Sequence, residues 1–137
     1  MTVDVPSAGV IVFRRVDVGG DCLLLRPVVG RRGFPKGRRK PGASVSACAL
    51  RELEEETGLV EEELALQAGV SVDERGYGGR VSVRYLVALT RELDPHLEPE
   101  DAARQQLAWL SVAGATTVLA PQRGSLLQAA LQRLSKE

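Results

Sequence analysis

The chain has little of what marks a secreted, membrane-spanning or zinc-binding protein. Its two cysteines, Cys22 and Cys48, have the spacing of neither a disulfide framework nor a metal site. We therefore predict two reduced, buried thiols. No charged-then-apolar leader opens the sequence, and no apolar run approaches the ~20 residues that span a bilayer. These absences predict a soluble, cytoplasmic protein with no membrane partner.

Overall charge and repetition are also lacking. The formal net charge is +0, so charge favours neither nucleic acid nor a membrane surface, and no extended nucleic acid partner is expected. The sequence has no internal repeat and no low-complexity tract. Its 137 residues, 44% hydrophobic and 26% charged, are typical of a soluble globular protein with one core. We predict a single domain over residues 1–137, as a monomer or a homodimer.

Charge is segregated locally. A basic run precedes a glutamate-rich segment almost without acidic interruption, and it consists of Arg31, Arg32, Lys36, Arg38, Arg39 and Lys40. A basic run beside an acidic cluster suits a polyphosphate held together with its metal ions. The alternative is a solvated basic loop.

The glutamate-rich segment is predicted to be a helix. Ser44 is placed to cap its start, and Gly58 stands where a left-handed C-terminal residue is wanted. Apolar residues fall on one helical stripe, which consists of Val45, Ala49, Leu50 and Leu53. Three carboxylates lie three or four residues apart along its border, namely Glu52, Glu55 and Glu56.

Stability alone does not explain these carboxylates. Glu54, Glu55 and Glu56 lie at the negative end of the helix dipole, where each costs a few tenths to about 1 kcal/mol. Arg51 is placed to neutralise Glu55 at i+4, but a hard divalent cation with several oxygen ligands offsets the whole cluster better. The alternative, a solvated helix face, is preferred only for Glu54, which lies on the opposite side.

The same stretch resembles the signature box of the Nudix hydrolases. Gly37 is followed by a five-residue gap, position 43, a seven-residue gap, and RELEEETGL over residues 51–59. Every fixed position matches except position 43, where the family has glutamate and this chain has Ala43. Residues 34–37 also resemble the lead-in of members that cleave dinucleoside polyphosphates or nucleotide caps, and residues 108–110 resemble the dinucleoside polyphosphate subfamily.

The resemblance implies a metal-dependent pyrophosphohydrolase that cleaves a nucleoside diphosphate linked to another moiety. It implies Mg²⁺ or Mn²⁺ as the cofactor and a small-molecule nucleotide or polyphosphate as the substrate. Dinucleoside polyphosphates are the preferred class, and nucleoside triphosphates come next.

The resemblance also assigns roles to individual residues. The expected metal ligands are Glu52, Glu55, Glu56 and the backbone carbonyl of Lys36 or Gly37. The expected catalytic residues are Glu55, Glu56 and Arg51, with Arg51 orienting a carboxylate. The candidates for binding phosphate are Lys36, Arg38 and Arg39.

Ala43 is the departure that matters, because alanine neither binds a cation nor accepts a hydrogen bond. We expect a weaker second metal site, slower turnover or an altered loop rather than complete inactivity. A replacement ligand or general base is expected from the loop that holds Asp94, Glu98, Glu100 and Asp101. The alternative function is a nucleotide-binding or regulatory module with weak or no hydrolysis.

The aromatic residues and the single histidine are expected to have structural roles or to lie at the surface. Core packing is preferred to base stacking for Phe34 and Tyr85, and Trp109 is also expected in the core. Tyr77 is expected to be exposed in a glycine-rich turn, with base recognition as its alternative role. His96 is expected at the surface rather than in catalysis.

The remaining pattern predicts the fold. Strands are expected over residues 7–16 and 22–28, paired as a hairpin, then over residues 64–72, 80–90 and 105–112. Residues 29–42 are predicted to be an irregular loop, and residues 93–102 a mobile one. A helix capped by Ser111 should run to residue 120, where Pro121 stops it, and a final helix should start at Ser125. The pattern predicts an α/β (α+β) class with one mixed sheet and helices on both faces, which the resemblance narrows to a Nudix α/β/α sandwich.

Overall fold

A computed structural model describes residues 5–28, 30–100, 102 and 105–135. Within these residues, six strands form one sheet: β1 (Ser7–Arg14), β2 (Asp21–Pro27), β3 (Lys36–Arg38), β4 (Leu64–Arg75), β5 (Val81–Thr90) and β6 (Gln105–Ser111). The same residues form three α-helices: α1 (Val45–Thr57), α2 (Val112–Val118) and α3 (Pro121–Ser135). The predicted α/β class is confirmed.

The sheet is organised around β1. Its strand order is β4-β5-β1-β2-β6, with β1 parallel to β5 and antiparallel to β2. The predicted β1-β2 hairpin is confirmed, but the register pairs only Phe13 with Cys22 and Arg14 with Asp21. At its other end the same edge of β1 pairs with β3. The two neighbours therefore share one edge of the central strand.

Side chains of β1 alternate between two cores. Ala8, Val10 and Val12 pack in the core beneath α1, whereas Ile11 and Phe13 pack in the core beneath α2 and α3. All five are fully buried, as the two-residue period of a strand covered on both faces requires. The prediction of helices on both faces of one mixed sheet is therefore confirmed.

The prediction of an irregular loop over residues 29–42 is wrong at β3. This three-residue strand has no apolar alternation by which a sequence could reveal it. It forms because β1 has backbone groups free of β2 at this end. Flanking hydrogen bonds extend the pairing, from Val10 N–H to the Pro35 carbonyl (3.0 Å) and from Arg39 N–H to the Pro6 carbonyl (2.8 Å).

The predicted start of the last helix is also wrong. α3 begins at Pro121, so Ser125 lies one turn inside the helix and does not cap it. Proline suits a first helical turn because it has no N–H to leave unpaired and its φ is already helical. The preceding helix is confirmed in its cap, since Ser111 Oγ accepts from Gly114 N–H at 3.0 Å, but it ends at Val118 rather than at residue 120.

Helix α1 matches its prediction at both ends. Ser44 Oγ accepts from Ala47 N–H at 3.0 Å, and Gly58 has a φ of 83° with its N–H bonded to the Glu54 carbonyl. Ala49 and Leu53 of the predicted stripe are fully buried. The helix is therefore fixed to the sheet by the face that the sequence identified.

The segment after β5 closes the C-terminal end of α1. Glu98 N–H donates to the Thr57 carbonyl (2.8 Å), and Glu100 N–H donates to the Glu55 carbonyl (2.9 Å). The segment contains no regular structure over residues 91–100, as predicted, but its backbone satisfies carbonyls that the helix leaves unpaired. Asp101 lies outside the described residues.

Cys22 and Cys48 are both free and buried, which confirms the expected thiols. Across the parts of the chain that the structure describes, no helix has the length and apolar character to cross a membrane.

Gly58 provides a test of the contact between α1 and residues 94–100. A Cβ at Gly58 would lie 2.7 Å from the backbone N and O of Glu98, whereas one at Gly42, whose φ is also positive, would meet nothing within 4 Å. Gly42→Ala should cost only the conformational strain, roughly 1–2 kcal/mol. Gly58→Ala should cost about 1–3 kcal/mol more because of the clash. Urea unfolding measures both, and equal losses would contradict the described packing.

Candidate active site

Strand β3 brings backbone groups to the carboxylates of α1. Lys36 N–H donates to Glu56 Oε1 at 3.0 Å, and the Arg38 carbonyl accepts from Arg51 Nη2 at 3.2 Å. The backbone groups of Pro35 and Arg39 point the other way, because the Pro35 carbonyl accepts from Val10 N–H and Arg39 N–H donates to the Pro6 carbonyl. Since backbone groups of successive residues in a strand point to opposite sides, those of Lys36 and Arg38 face the helix.

Gly37 lies against the carboxylate of Glu52. A Cβ at Gly37 would overlap that carboxyl group, so glycine at this position leaves room for the Glu52 carboxylate to lie against β3. The Gly37 carbonyl also accepts from Cys48 Sγ at 3.5 Å. The glycine that opens the box thus has a steric reason in this chain.

Arg51 ties two of the carboxylates together. Its Nη1 lies 3.1 Å from Glu52 Oε1 and 3.5 Å from Glu55 Oε1, which bears out the predicted i,i+4 pair with Glu55. The Glu52 side chain is 15% exposed and that of Glu55 is 38% exposed. Because Arg51 also reaches β3, it fixes the directions of carboxylates that would otherwise repel each other.

Two of the glutamates are electrostatically strained. Burial raises the pKa of Glu56 to about 7, although the hydrogen bond from Lys36 N–H lowers it, and the charge of Glu52 raises it further. Burial also raises the pKa of Glu52, and the nearby charge of Glu55 adds to the shift. Both groups would be relieved by positive charge, which is the property expected of a site that binds a cation.

Glu56 lines a cavity of about 370 Å³ together with three cationic side chains, Lys36, Arg31 and Arg123. Leu25 and Phe34 contribute apolar wall. A larger hollow of about 530 Å³ lies beside α2, is lined mainly by apolar side chains, and does not include Glu56. The smaller cavity therefore has the mixed charge that a phosphate and its counter-ion require.

The three predicted phosphate ligands are placed differently. Lys36 lines the cavity, and Arg38 is exposed. Arg39 holds the loop before α1, because its Nη1 donates to the Ala43 carbonyl at 3.4 Å. The structure therefore brings Lys36 to the carboxylates and gives Arg39 a contact within the loop.

Arg123 and Arg31 are cavity residues that the sequence did not single out as site residues. Arg123 lies in the first turn of α3. The sequence predicts that this helix starts at Ser125, which would leave Arg123 in the connecting loop. Its Nε donates to Glu74 Oε1 at 2.9 Å, and its Nη1 donates to the Arg32 carbonyl at 2.9 Å. Nothing in the local sequence signals these distant contacts.

Three of the loop residues expected to replace the missing glutamate lie in the described part of the chain. Asp94 Oδ1 accepts from Arg14 Nη1 at 3.1 Å, and Glu98 lies beside His96 on the surface, with their side chains 3.6 Å apart. Glu100 is exposed and adjoins the end of α1 through its backbone. His96 is 83% exposed, in agreement with its predicted surface position.

The structure places the aromatic side chains largely as predicted. Phe34 and Tyr85 are buried and meet edge to face, with ring centroids 5.3 Å apart. Tyr77 is fully exposed in its turn. Trp109 is partly buried rather than fully so, and the Arg14 guanidinium covers its ring at 4.4 Å.

The donor atoms of the site are those that a hard metal ion prefers. Over residues 5–28, 30–100, 102 and 105–135, no three His, Cys, Asp or Glu side chains are grouped as a ready-made metal site. The chemistry of the donors nevertheless fits a hard divalent cation, because Glu52 and Glu56 are carboxylates whose pKa values are raised by burial and by neighbouring negative charge, and a bound cation would lower both pKa values. In the described arrangement, the Arg51 guanidinium supplies part of that charge.

Comparisons with known proteins agree with this arrangement. The sequence model described as NUDIX domain matches residues 4–130, so the chain belongs to the Nudix family. The predicted membership is therefore confirmed, and the fold shared with Nudix hydrolases supports the predicted hydrolase acting on phosphoanhydride bonds.

Solved structures share the fold. The binary complex of the C. elegans Ap4A hydrolase is 23% identical, with a TM-score of 0.83 over 96% of this chain and 99% of that chain. RenU, a Nudix hydrolase of M. smegmatis, is 21% identical, with a TM-score of 0.69 over 99% and 86% of the two chains. The NUDIX domain of Shewanella oneidensis NrtR, complexed with ADP ribose, is 20% identical, with a TM-score of 0.67 over 98% and 90%.

The strain on Glu56 predicts a pH dependence of stability in metal-free protein. Because the folded-state pKa is about 7 and the unfolded value is near 4.5, the folded state binds the proton more tightly. The contribution of this group is therefore fully present below the unfolded value and is lost as pH rises through about 7.

Glu56→Gln should remove that loss, so the variant gains on the wild type as pH rises. Urea unfolding with a chelator, between about pH 5 and pH 8, measures the difference. Glu54→Gln, on the exposed side of the same helix, is the control and should run parallel to the wild type. A wild type and a Glu56→Gln variant with parallel curves would contradict the raised pKa of the Glu56 carboxyl group.

Proposed function

We propose that this Nudix hydrolase is a metal-dependent pyrophosphohydrolase that cleaves a nucleoside diphosphate linked to another moiety. The observation that carries the proposal is the cavity in which the strained carboxylate of Glu56 meets Lys36 and Arg31. A polyphosphate places negative charge beside the two cations. A divalent ion shared with it would satisfy the carboxylate.

Mg²⁺ or Mn²⁺ would be held by the carboxylates of Glu52, Glu55 and Glu56 and by the backbone carbonyl of Lys36. Such an ion screens phosphate charge, makes a water a better nucleophile and stabilises the leaving oxygen. The backbone of Lys36 faces α1, as that role requires, because its N–H is bonded to Glu56. The other ligand positions would be filled by water and substrate phosphate.

The remaining residues orient the carboxylates or bind the negative charge of the phosphates. Arg51 orients Glu52 and Glu55 through one guanidinium, which is the role expected of it in catalysis. Lys36 and Arg31 bind phosphate at the cavity, and Arg38 is exposed near the same strand. Positioning and electrostatic stabilisation are the main contributions that a protein makes to phosphoryl transfer.

Dinucleoside polyphosphates are the proposed substrate class. Support comes from the lead-in over residues 34–37 and from the fold shared with the C. elegans Ap4A hydrolase along nearly the full length of both chains. The proposal treats residues 1–137 as one catalytic domain with a small-molecule substrate, working in the cytoplasm as a monomer or homodimer.

A second candidate is a nucleotide-binding module with weak hydrolysis. Ala43 favours it, because position 43 supplies a methyl group where the family has a carboxylate. The absence of a grouped three-ligand site among the described residues points the same way. Turnover with added metal separates the two candidates.

The first test is a screen of dinucleoside polyphosphates, nucleoside triphosphates, nucleotide sugars and capped RNA, with Mg²⁺ or Mn²⁺ and product masses as the readout. Dinucleoside polyphosphates should have the highest kcat/KM. Glu56→Gln should lower it by about 100-fold or more, because a ligand carboxylate acts on the transition state. Glu54→Gln is the matched control and should have little effect. Binding without turnover, unchanged in Glu56→Gln, would favour the binding module.

Restoring the missing carboxylate gives a separate test. Ala43→Glu should raise kcat by roughly 10-fold if a group near the metal limits the rate, as outer ligands of metal sites commonly do. Ala47→Glu adds the same charge at an exposed position in the first turn of α1 and should leave kcat unchanged. Equal kcat values in the wild type and Ala43→Glu would show that position 43 does not limit the reaction.

A further inference from the structure

Arg123 joins three separate parts of the fold at the edge of the cavity. Its guanidinium makes two contacts with Glu74 of β4, from Nε at 2.9 Å and from Nη2 at 3.4 Å. Its remaining nitrogen, Nη1, donates to the Arg32 carbonyl at 2.9 Å. The guanidinium of Arg123 therefore connects α3 to β4 and to the basic run.

The segment that receives this contact is held on its other side by β2. Leu25 N–H donates to the Gly33 carbonyl at 2.7 Å, and Gly33 N–H donates to the Leu25 carbonyl at 3.0 Å. A Cβ at Gly33 would lie 2.6 Å from Arg123 Nη1, so glycine is required for the guanidinium to lie here. The peptide of Arg32 is thus fixed between β2 and Arg123, immediately after Arg31.

Charge separates the roles of the two arginines that line the cavity. Arg123 is paired with Glu74, whose side chain is only 14% exposed, and the Tyr85 hydroxyl donates to the same carboxylate at 3.4 Å. Its charge is therefore largely neutralised by a buried partner. Arg31 is exposed and lines the cavity, so it presents positive charge to a ligand.

We propose that Arg123 is a positioning residue that sets the place of Arg31 at the cavity by fixing the Arg32 peptide. The inference rests on the proposed function, because it concerns how the same cavity binds a polyphosphate. Arg123 acts through the neighbouring arginine and not through direct contact with phosphate. Its loss weakens substrate binding more than it slows the chemical step.

A second arginine–carboxylate pair that involves β4 provides a matched control for the Arg123–Glu74 pair, because Asp73 immediately precedes Glu74. Asp73 receives two hydrogen bonds from Arg84, at 2.8 and 3.0 Å, in a pair of the same kind. Because successive side chains of a strand point to opposite faces, the Asp73 pair lies on the face of the sheet opposite to the Glu74 pair. Arg84→Met therefore removes a comparable ion pair without touching the cavity.

The experiment measures KM and kcat for diadenosine tetraphosphate, and the Kd of inorganic tripolyphosphate by calorimetry, with Mg²⁺ present. Arg123→Met should raise KM and Kd about 10-fold while kcat changes less than about 2-fold, since uniform binding is lost. Arg84→Met should leave all three unchanged. Gly33→Ala keeps every charge but displaces the guanidinium, so it should repeat the effect of Arg123→Met and remains informative if that variant fails to fold.

A double-mutant cycle distinguishes positioning from general loosening. In an Arg31→Ala background, Arg123→Met should cause no further loss of affinity, because the group that it positions is already absent. An undiminished loss in that background would overturn the proposal, as would equal effects of Arg123→Met and Arg84→Met or a fall in kcat at constant KM. A wild type that neither binds tripolyphosphate nor turns over the dinucleotide would instead overturn the proposed function together with this inference.

Discussion

The active site depends on the close contact between strand β3 and helix α1. Gly37 lies against the Glu52 carboxylate, Lys36 N–H reaches Glu56, and the Arg38 carbonyl accepts from Arg51. The contacts of Lys36 and Arg38 come from backbone groups that β1 leaves unpaired. A three-residue strand therefore supplies the backbone that orients the helix carboxylates, and the separation of β1 from β2 makes room for that strand.

The electrostatics of this contact differ from those of the other ion pairs in the fold. Arg84 with Asp73 and Arg123 with Glu74 are each one cation matched to one carboxylate. At the site, Arg51 serves two carboxylates, and Glu56 is buried enough for its pKa to rise to about 7. Matched pairs hold a fold together. Partly buried negative charge costs stability, and the cation that we propose to bind with the substrate would offset that cost.

The sequence predicted most where structure is set locally. Both ends of α1 were predictable because Ser44 and Gly58 act on backbone groups within a few residues of themselves. β3 was not predictable, because its pairing depends on an edge of β1 more than twenty residues away. The sequence predicts that Pro121 stops a helix, but the same missing N–H suits a helix start, and a helix predicted from Ser125 leaves Arg123 outside it. The position of the carboxylates on α1 can therefore be predicted from the sequence, whereas the placement of Arg31 and Arg123 at the cavity can be seen only in the folded chain.

The most direct measurement is the anomalous scattering of Mn²⁺ in crystals grown with a non-hydrolysable dinucleoside polyphosphate. The account predicts an anomalous peak within coordination distance of Glu56 and of Glu52 or Glu55, with the phosphates extending toward Lys36 and Arg31. A bound analogue with manganese located away from all three glutamates would contradict the account.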